Sequence, residues 1–486
     1  MAEVEEQGKV RAPKGTRDVL WPESWRWEQL VSRFSEAARL SGFGLILSPM
    51  FEEARVFRRG IGDDSEVVGK EMYEFTDRGG RAMALRPEGT ASVVRAFVEH
   101  RPPTPWKAWY VSPLFRYERA QAGRYRQHHQ LGVEALGTAD PDLDVEVIAL
   151  AAHFLSDLGL RQVDLAVNSM GCSDCRPAYL NALVEYLEKH SDELCDEHHD
   201  RYKTNPLRVL DCKRPQCRAV TEDAPRLVDF LDDACAEHFA RVREGLDALG
   251  IKNRLEPRLV RGFDYYTRTT FEFAATALDA AQNGICGGGR YDGLVDQLGG
   301  PPTPGIGFGM GIERVLLACD AEGVFALDPP VPDAYVVDLT GGEVARDLVE
   351  ELRRSGLAAE RAYDDRSLRA QMKLADKSGA PVALIVGSEE RAAGTVTVRD
   401  LRSVASEAAT ASGGSSGEQQ SVPRDKVVDA VRSARAAGTA RTAGTARPAR
   451  TAGPAGSARS AGPAGPAGPA GSAGPAGSTL GDDESR

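Results

Sequence analysis

The amino-acid sequence predicts an α+β domain whose strands pair as antiparallel hairpins, a helical insertion within it, and a separate α/β domain after it. Two extended apolar runs joined by a glycine-containing loop predict the main hairpin, at residues 112–137. A polar, helical stretch that carries most of the cysteines then interrupts the strands, which resume at residue 257. From residue 332 strands and helices alternate over roughly 100 residues, a pattern typical of an α/β domain.

The charge and hydropathy of the chain exclude two broad classes of protein. Its 486 residues include 60 basic and 72 acidic side chains, a net charge of −12 that argues against a protein coating nucleic acid non-specifically. The N-terminal residues are charged, and no apolar run approaches the roughly 18 residues that a membrane span requires. We therefore expect a cytoplasmic protein without a membrane segment, whose nucleic-acid contacts would depend on local basic patches.

The N-terminal part of the chain predicts helices and strands that bring a carboxylate to a helix start. Apolar side chains at helical spacing predict a helix over residues 24–41, followed by a strand at residues 44–49. The segment LRPEGT then predicts a helix that begins at Thr90. Glu88 stands just before it, where a carboxylate can hold an ammonium group, although capping of the helix is the commoner role.

The hairpin at residues 112–137 carries many cations for so apolar a segment. Guanidinium groups held on rigid strands suit bidentate recognition of phosphate, whereas a solvated strand face is the less specific interpretation. The residues concerned are Arg116, Glu118, Gln130 and Glu134 on the strands, and Arg119, Gln121, Arg124 and Arg126 in the loop. We favour a phosphate-binding hairpin.

Cysteines and one histidine of the insertion are spaced like metal ligands. The pairs are Cys172 with Cys175, Cys195 with His198, and Cys212 with Cys217. Two such pairs would complete a tetrahedral zinc site, and buried inert cysteines are the alternative. We predict a structural zinc ion held by Cys172, Cys175, Cys212 and Cys217, although the six candidates exceed one site. The remaining cysteines, Cys235, Cys286 and Cys319, are predicted to be small core residues.

Glycines dominate the strands that follow the insertion. Four of them alternate between residues 305 and 311, without the G-x-G-x-x-G spacing of a dinucleotide-binding loop. Because glycine clears one face of a strand, we expect something flat to lie against that face. Arg314 follows one turn into the next helix, from which it can reach a phosphate.

The last part of the chain predicts a second domain and a tail. The alternation of strands and helices at residues 332–436 predicts a mostly parallel sheet with few free edges. Residues 437–486 consist of Ala, Gly, Pro, Ser, Thr and Arg in near-triplets before an acidic end. The glycine-repeat run is too short for a collagen triple helix, so we predict a disordered, low-complexity tail.

Five motifs, in order, carry a family resemblance. The hairpin resembles motif 2 of the class II aminoacyl-tRNA synthetases, LSPMFE with its preceding helix resembles motif 1, and GIGFGMGIERVLL resembles motif 3. RGFDYYTRTTFEF and GGGRYDGLV resemble the histidine-specific motifs of the histidyl-tRNA synthetases. The resemblance spans roughly residues 10–436, and five motifs in the expected order are hard to reconcile with coincidence.

This resemblance implies an architecture. A class II catalytic domain, built on a mostly antiparallel sheet, would occupy residues 1–170 and 257–328, with the helical insertion at residues 171–256. Residues 332–436 would form an α/β anticodon-binding domain, before the tail at residues 437–486. Motif 1 lies at the dimer interface of class II enzymes, so the resemblance also implies a homodimer.

The implied reaction attaches L-histidine to tRNA(His) through a histidyl-adenylate, with ATP and Mg²⁺, and releases AMP and diphosphate. Negative charge gathers on phosphate oxygens in such a reaction, so positioned cations matter more than a covalent nucleophile. By resemblance, Arg116 would hold the α-phosphate and Arg314 the γ-phosphate, and Arg261 would stabilise charge at the α-phosphate. Glu118 would meet the adenine amino group or the magnesium ion.

Recognition of histidine requires a partner for each nitrogen of its imidazole. A carboxylate acceptor and a phenol donor satisfy both nitrogens, and a ligand that leaves either partner unpaired is rejected. By resemblance, Glu134 and Tyr266 form that pair. The residues that would hold the amino end of histidine are Glu88, Thr90, Gln130 and Tyr265.

One position departs from the family pattern. His128 stands where the family commonly has a phenylalanine that stacks on adenine. An imidazole can stack as well, but its charge depends on pH. We therefore expect adenine binding that is weaker and pH-dependent.

We expect the protein to bind tRNA at the acceptor end and at the anticodon. The resemblance implies that Arg119, Gln121 and Arg124 contact the acceptor end, and that tRNA affinity falls with salt.

One alternative function is a catalytically inactive, synthetase-like regulatory subunit of histidine biosynthesis, whose relatives generally lack the anticodon domain and the phosphate arginines. The other is an RNA- or amino-acid-binding sensor, in which those arginines would have no common task.

Overall fold

The computed structural model describes residues 10–62, 65, 67–118, 123–279, 283–401 and 419–445. The chain divides after Pro329 into two units. The first unit contains the predicted two-part domain with its insertion, and the second contains the predicted α/β domain.

The first unit is built on one large sheet and one small sheet. Its strands are β1 (Gly44–Leu45), β2 (Phe51–Glu53), β3 (Glu74–Thr76), β4 (Ala82–Leu85), β5 (Trp106–Phe115), β6 (Gln127–Leu136), β7 (Val163–Ser169), β8 (Arg254–Leu255), β9 (Thr267–Ala275), β10 (Gly284–Arg290) and β11 (Gly305–Gly311). Its α-helices are α1 (Glu23–Leu40), α2 (Ala54–Ile61), α3 (Thr90–His100), α4 (Pro141–Asp157), α5 (Arg176–Lys189), α6 (Leu207–Leu210), α7 (Pro215–Glu222), α8 (Asp233–Ala248), α9 (Leu294–Gln297) and α10 (Ile312–Glu322). The strand order of the large sheet is β1-β5-β6-β11-β10-β9-β7-β8, and that of the small sheet is β2-β4-β3.

The large sheet is mostly antiparallel, which confirms the prediction. Among its described strands, only the edge pairs β1 with β5 and β7 with β8 are parallel. β5 and β6 form the predicted hairpin, with Trp106 opposite Leu136 and Phe115 opposite Gln127. β11 pairs with β6 on one side and with β10 on the other, so the glycine-rich strands lie near the centre of the sheet.

Strand alternation gives this sheet an apolar face and a polar face. Val133 of β6 and Phe308 of β11 belong to the main core, beneath α1 and α4. The ring of Phe34 on α1 meets that of Phe308 edge-on, with 6.2 Å between the centroids. The alternate positions of β6, which include Gln130 and Glu134, face the other way, toward the start of α3.

The strand predicted at residues 44–49 is shorter in the structure and ends at Leu45. Pro49 has no N–H to donate to a ladder. The carbonyls of Ser48 and Pro49 instead accept hydrogen bonds from the buried guanidinium of Arg86, at 3.1 and 3.3 Å. A side chain therefore replaces the expected strand pairing.

The insertion between β7 and β8 is helical, as predicted, and has a small core of its own. Its last helix, α8, packs on α4 of the two-part domain, where His238 Nε2 lies 2.8 Å from Asp144 Oδ2. The same carboxylate is 2.5 Å from Arg290 Nη2, and both of these side chains are fully buried. This network connects the insertion to the end of β10.

The second unit is a mixed α/β layer structure. Its strands are β12 (Ala334–Asp338), β13 (Ala359–Arg361), β14 (Val382–Val386), β15 (Thr395–Asp400) and β16 (Gln419–Pro423). Its α-helices are α11 (Glu343–Arg354), α12 (Leu368–Ser378), α13 (Ser388–Ala393) and α14 (Val427–Thr445). The strand order is β13-β12-β14-β15-β16.

The prediction of a mostly parallel sheet was wrong for this unit. β12 runs parallel to β13 and β14, but β14 with β15 and β15 with β16 are antiparallel. A parallel crossover needs about a dozen residues, whereas β14 and β15 are joined by the short helix α13. Gly394, at φ 65°, ends α13 and returns the chain beside β14.

The end of the chain differs in part from the prediction. α14 continues to Thr445, beyond the expected domain end at residue 436, and the rest of the predicted tail lies outside the described residues. Within the described ranges, no helix combines the length and the apolar character needed to cross a bilayer.

Candidate active site

The floor of the candidate site is a sheet face from which side chains of β11 are absent. A Cβ atom at Gly307 would lie 1.9 Å from Glu134 Oε2, and one at Gly309 would lie 2.3 Å from Gln130 Nε2. The glycines therefore make room for side chains of the neighbouring strand β6. We expected the bare face to receive something flat from outside, but the protein's own polar residues fill much of it.

Glu134 is the fully buried centre of this floor. Its carboxyl group accepts hydrogen bonds from Thr90 Oγ1 at 2.7 Å and from the Tyr291 hydroxyl at 2.5 Å. Burial raises the pKa of Glu134 to about 8. Tyr291 was not among the predicted site residues. The space for its ring comes from Gly305 of β11, where a Cβ atom would lie 2.4 Å from Tyr291 Cε2.

Glu88 occupies the helix start in the way that the capping alternative predicts. Its carboxylate accepts from the backbone N–H groups of Thr90 and Ala91, both at 2.7 Å. Burial raises the pKa of Glu88 above its ordinary value. A carboxylate has about four acceptor positions, so these two bonds leave capacity for a ligand.

The other predicted histidine-binding residues surround the same floor. The Gln130 side-chain oxygen accepts from the hydroxyl of the buried Tyr110, at 3.0 Å. The rings of Tyr265 and Tyr266 lie 4.7 Å apart, and that of Tyr265 lies 5.9 Å from Tyr291. Burial raises the pKa of Tyr266 to about 12, so its hydroxyl stays a hydrogen-bond donor at neutral pH.

The three predicted phosphate-binding arginines are each fixed by the protein. Arg116 Nε donates to the Pro87 carbonyl at 2.8 Å. Arg261 donates to Thr270 Oγ1 at 3.0 Å and pairs with Glu272 at 3.1 Å. Its Nη2 is buried and has no hydrogen-bond partner among the described residues, which leaves one donor for a ligand.

Arg314 adjoins both of the other arginines through shared neighbours. Its Nη1 donates to the Gly284 carbonyl at 2.8 Å, and a Cβ at Gly284 would be 3.5 Å from the Glu272 carboxylate that pairs with Arg261. The charges of Arg314 and Arg116 both act on His128. The guanidinium of Arg116 also lies 5.6 Å from the ring of Phe263, in the loop that carries Arg261.

Two residues beside these arginines, His128 and Glu272, differ from what the sequence analysis led us to expect. Burial, reinforced by the charges of Arg116 and Arg314, lowers the pKa of His128 to about 3. His128 is therefore neutral at physiological pH, which argues against the expected pH dependence of adenine binding. Glu272 was missed, and its signal was a charge between two phenylalanines in the segment TTFEF.

The motif 2 loop is described only in part. Glu118 Oε2 lies 3.4 Å from Arg124 Nη1. The predicted acceptor-end residues Arg119 and Gln121 fall outside the described residues.

The insertion cysteines form two clusters, so the predicted zinc ligand set was wrong. The Cys195 cluster consists of Cys195, His198, Cys212 and Cys217, and the Cys172 cluster consists of Cys172, Cys175, Asp232 and Cys235. The predicted set took two residues from each, because sequence spacing does not show that α8 returns beside the start of α5. Cys235 is thus a cluster member, whereas Cys286 and Cys319 lie in the main core as predicted.

Comparison with known sequences matches both units of the chain. The histidyl-tRNA synthetase family matches residues 15–315, and the anticodon binding domain family matches residues 332–434. A histidine–tRNA ligase of Halothermothrix orenii is 48% identical over 400 residues, which cover 81% of this chain and 95% of that protein. One of Moorella thermoacetica is 47% identical over 433 residues, which cover 88% of this chain and 99% of that protein.

Solved structures give the same picture. The apo histidyl-tRNA synthetase of S. aureus has a TM-score of 0.72 and 35% identity, over 87% of this chain and 100% of that one. A Bacillus halodurans protein described as an ATP phosphoribosyltransferase regulatory subunit/histidyl-tRNA synthetase has a TM-score of 0.57 and 20% identity, over 79% of this chain and 100% of that one. At that identity the second likeness concerns the fold alone.

Proposed function

Since the chain belongs to the histidyl-tRNA synthetase family, we propose roles for its residues from the reaction of that family. The protein is a histidine–tRNA ligase: it attaches L-histidine to tRNA(His) through a histidyl-adenylate, with ATP as substrate and AMP and diphosphate as products. The inactive regulatory subunit is not favoured, because the phosphate arginines and the anticodon domain are both present. The observation that supports the assignment of roles is that the three guanidinium groups share neighbours: the charges of Arg116 and Arg314 both act on His128, and Arg314 contacts Gly284 beside the Glu272 carboxylate that pairs with Arg261.

In the first step the histidine carboxylate attacks the α-phosphorus of ATP. Arg116 and Arg261 stabilise the charge that develops on the α-phosphate oxygens, and Arg314 holds the γ-phosphate. The unpaired Nη2 of Arg261 supports this role, since it needs an acceptor. Glu118 binds the adenine amino group or the metal, and His128 stacks on the adenine ring.

Magnesium fits the acidic groups beside these arginines. Mg²⁺ prefers oxygen ligands; Glu272 pairs with Arg261, and the carboxylate charges of Glu118 and Glu272 both act on Arg314. These two residues would hold the ion, which neutralises phosphate charge when bound. Structural zinc in the insertion completes the proposed cofactors.

Histidine is selected by its ring. Glu134 and Tyr266 hydrogen-bond the two imidazole nitrogens, and an amino acid that leaves either of them unpaired loses binding. The remaining acceptor positions of Glu88 take the ammonium group. Thr90, Gln130 and Tyr265 hold the same end of the substrate.

The tRNA binds across the insertion and the motif 2 loop. An open cleft of about 1270 Å³ separates the insertion from the catalytic part. Its cationic lining consists of Lys70, Arg176, Arg201, Arg208, Lys213 and Arg214. Arg119, Gln121 and Arg124 contact the acceptor end, and the anticodon-binding domain reads the other end of the tRNA.

We assign the protein to the cytoplasm as a homodimer. The segment that resembles motif 1 exposes large apolar side chains, of the kind that mark protein interfaces. They are Leu45, Leu47, Met50 and Phe51, with Phe75 of the adjoining small sheet. Light scattering should give twice the chain mass, and the chain mass alone would contradict a dimer.

Amino-acid-dependent exchange of pyrophosphate into ATP tests the function. Assayed with each of the twenty amino acids, the protein should support exchange with histidine alone. A regulatory subunit or a sensor gives no exchange. Equal rates with another amino acid would contradict the proposed ring recognition.

A variant of Arg261 tests the assignment of roles. Arg261→Gln should slow exchange at least about 100-fold, because charge on the α-phosphate loses its partner. Histidine binding, measured by calorimetry, should remain. Arg254→Gln removes an exposed arginine paired with Asp164 and should leave exchange unchanged. If Arg261→Gln abolished histidine binding as well, the role given to Arg261 would be wrong.

A further inference from the structure

We propose that the insertion binds two zinc ions, one in the Cys195 cluster and one in the Cys172 cluster. Each cluster offers four ligand atoms that lie within 4.8 Å of one another. Thiolate, imidazole and carboxylate are the groups that zinc takes as ligands, and tetrahedral zinc with bonds of about 2.3 Å separates its sulfur ligands by about 3.8 Å. Each cluster therefore has the size and the chemistry of a four-coordinate site.

The Cys195 cluster has the donor set Cys₃His. Cys195 Sγ lies 3.1 Å from His198 Nδ1 and 4.0 Å from Cys212 Sγ. Cys217 Sγ lies 3.9 Å from the same imidazole nitrogen. Cys195 and Cys217 are almost completely buried, so an ion placed among these atoms would be shielded from water.

The segment that carries this cluster has little regular secondary structure to stabilise it. The segment between the two ligand pairs holds only short helical turns, among them the four-residue α6. Small cores with little regular structure are commonly stabilised by a structural metal. Inert buried cysteines would explain the burial of the sulfurs, but not an imidazole nitrogen turned toward them.

The Cys172 cluster is supported by separate observations. Cys172 and Cys175 precede α5, and their sulfurs lie 3.2 and 3.1 Å from Asp232 Oδ2. The other carboxylate oxygen of Asp232 caps α8 by accepting from the Cys235 N–H at 2.7 Å. One oxygen of Asp232 is thus occupied by the helix and the other is turned to the thiols, where a zinc ligand would be. A metal here would tie the first helix of the insertion to its last.

The two sites have different consequences, which rest on the proposed function. Cys212 and His198 line the same cleft as Arg208, Lys213 and Arg214, so the ion of the Cys195 cluster would hold part of the tRNA surface. Its loss should raise the KM for tRNA several-fold and leave histidine-dependent exchange nearly unchanged.

The Cys172 cluster instead adjoins the histidine site. Arg176 follows Cys175 and donates to the backbone carbonyls of Met170 and Tyr266. Because Tyr266 is a proposed partner of the imidazole, loss of this ion should raise the KM for histidine more than the KM for tRNA, which Arg176 of the cleft also affects.

Metal analysis of the purified full-length protein tests the proposal without any assay of activity. Plasma mass spectrometry should find two equivalents of zinc per chain, and X-ray absorption should find sulfur ligands at about 2.3 Å. Less than about a tenth of an equivalent after reconstitution with zinc would overturn both sites. One equivalent would overturn the Cys172 site if Cys235→Ser left it unchanged, and the Cys195 site if Cys217→Ser left it unchanged.

Single variants assign the ions to the clusters. Cys217→Ser and Cys235→Ser should each retain one equivalent, whereas Cys319→Ala, a buried cysteine outside both clusters, should retain two. Should a serine variant fail to fold, release of zinc from the wild type by a thiol-specific mercurial still reports the ions, and two equivalents are expected. If the metal counts are as expected but KM values do not change, the sites stand and the proposed roles of the cleft or of Tyr266 are wrong.

Discussion

Burial shifts the pKa values of two residues that line the site in opposite directions. It raises the pKa of Glu134 to about 8 and, together with nearby guanidinium charges, lowers the pKa of His128 to about 3. A carboxylic acid is neutral below its pKa and an imidazole is neutral above it. His128 is therefore uncharged near pH 7, whereas a hydrogen-bond donor of the ligand would favour the carboxylate form of Glu134. The charge that a triphosphate meets comes mainly from the arginines.

His128 provides a pH test at the level of one residue. Since its pKa of about 3 lies far below the assay range, its charge does not change between pH 5.5 and pH 8. The KM for ATP also varies with pH for reasons that do not involve His128. The variant His128→Phe, which cannot gain a proton at this position, is therefore the control. The ratio of the KM of the wild type to that of His128→Phe should be constant over this range. A ratio that rises toward pH 5.5 would show that the imidazole gains a proton there.

Individual residues could be predicted where a motif fixes their position. Glu88 and Thr90 lie at the start of α3, and Thr90 contacts Glu134, although those two residues are far apart in the chain. Tyr291 and Glu272 could not be identified as site residues from the sequence, because a tyrosine or a glutamate on a strand is usually a packing or surface residue. Their importance follows from the groups that they contact, which the folded chain alone brings together.

At the scale of elements, the glycines of β11 determine how much space the site has. Gly307→Ala would place a methyl group 1.9 Å from Glu134 Oε2, and neither the central strand nor the buried carboxyl group can shift freely. We expect the KM for histidine to rise at least about tenfold, equivalent to about 1.4 kcal/mol, with a smaller effect on the KM for ATP. Steady-state exchange kinetics measure both.

Gly311→Ala is the matched control on the same strand. Its added Cβ would meet nothing closer than 3.9 Å, which is ordinary van der Waals contact. The KM for histidine should stay close to that of the wild type. Equal effects of the two substitutions would mean that the strand is sensitive to alanine in general and not to crowding of Glu134.

The junction of α4 with β10 depends on a buried ion pair. Asp144 pairs with Arg290 inside the protein and also contacts His238. Asp144→Asn should destabilise the first unit by about 3–5 kcal/mol, because the guanidinium would stay buried without its counter-charge. Thermal unfolding measures this loss.

Asp142→Asn, on the same helix, is the control for that change. Asp142 is exposed and lies 3.4 Å from Arg241, so its removal should cost well under about 1 kcal/mol. An equally small effect of Asp144→Asn would mean that the buried pair contributes little.

Elements were predictable where a single segment determines them. α3 begins at Thr90 as expected, because helix-start signals are local. Strand direction in the second unit was mispredicted because it depends on the length of a connection, not on the strands. β14 is a continuous apolar run, as in strands of a parallel sheet, yet the short α13 that follows it makes β15 antiparallel to it.

For the molecule as a whole, the net charge and the cleft beside the insertion have opposite signs. The chain carries −12 overall, whereas six Lys and Arg side chains and three acidic side chains line the cleft. Affinity for tRNA should therefore fall about tenfold or more between 50 and 200 mM salt, because bound cations release counterions from the phosphates. Filter binding at several salt concentrations gives the slope.

Lys213 lines the cleft, and Lys203 of the same insertion does not. Lys213→Gln should lower the slope of log affinity against log salt by about one, and Lys203→Gln should leave it unchanged. Salt-independent binding would contradict an electrostatic cleft.

The sequence does not show which residues from distant parts of the chain lie together in the folded protein. Spacing identified the cysteines as candidate ligands, but their division into two clusters depends on how α8 returns to α5. The convergence of Arg116, Arg261 and Arg314 was inferred from family likeness, since no local pattern places residues so far apart in the chain near one another.

The bare face of β11 limits how this enzyme can diverge. A wall made of backbone has no side chain to shorten, so mutation can only add bulk there, and at Gly307 and Gly309 any addition collides with Glu134 or Gln130. A descendant that accepted a larger or differently shaped amino acid would have to change the side chains that border this face, such as Tyr266 and Tyr291.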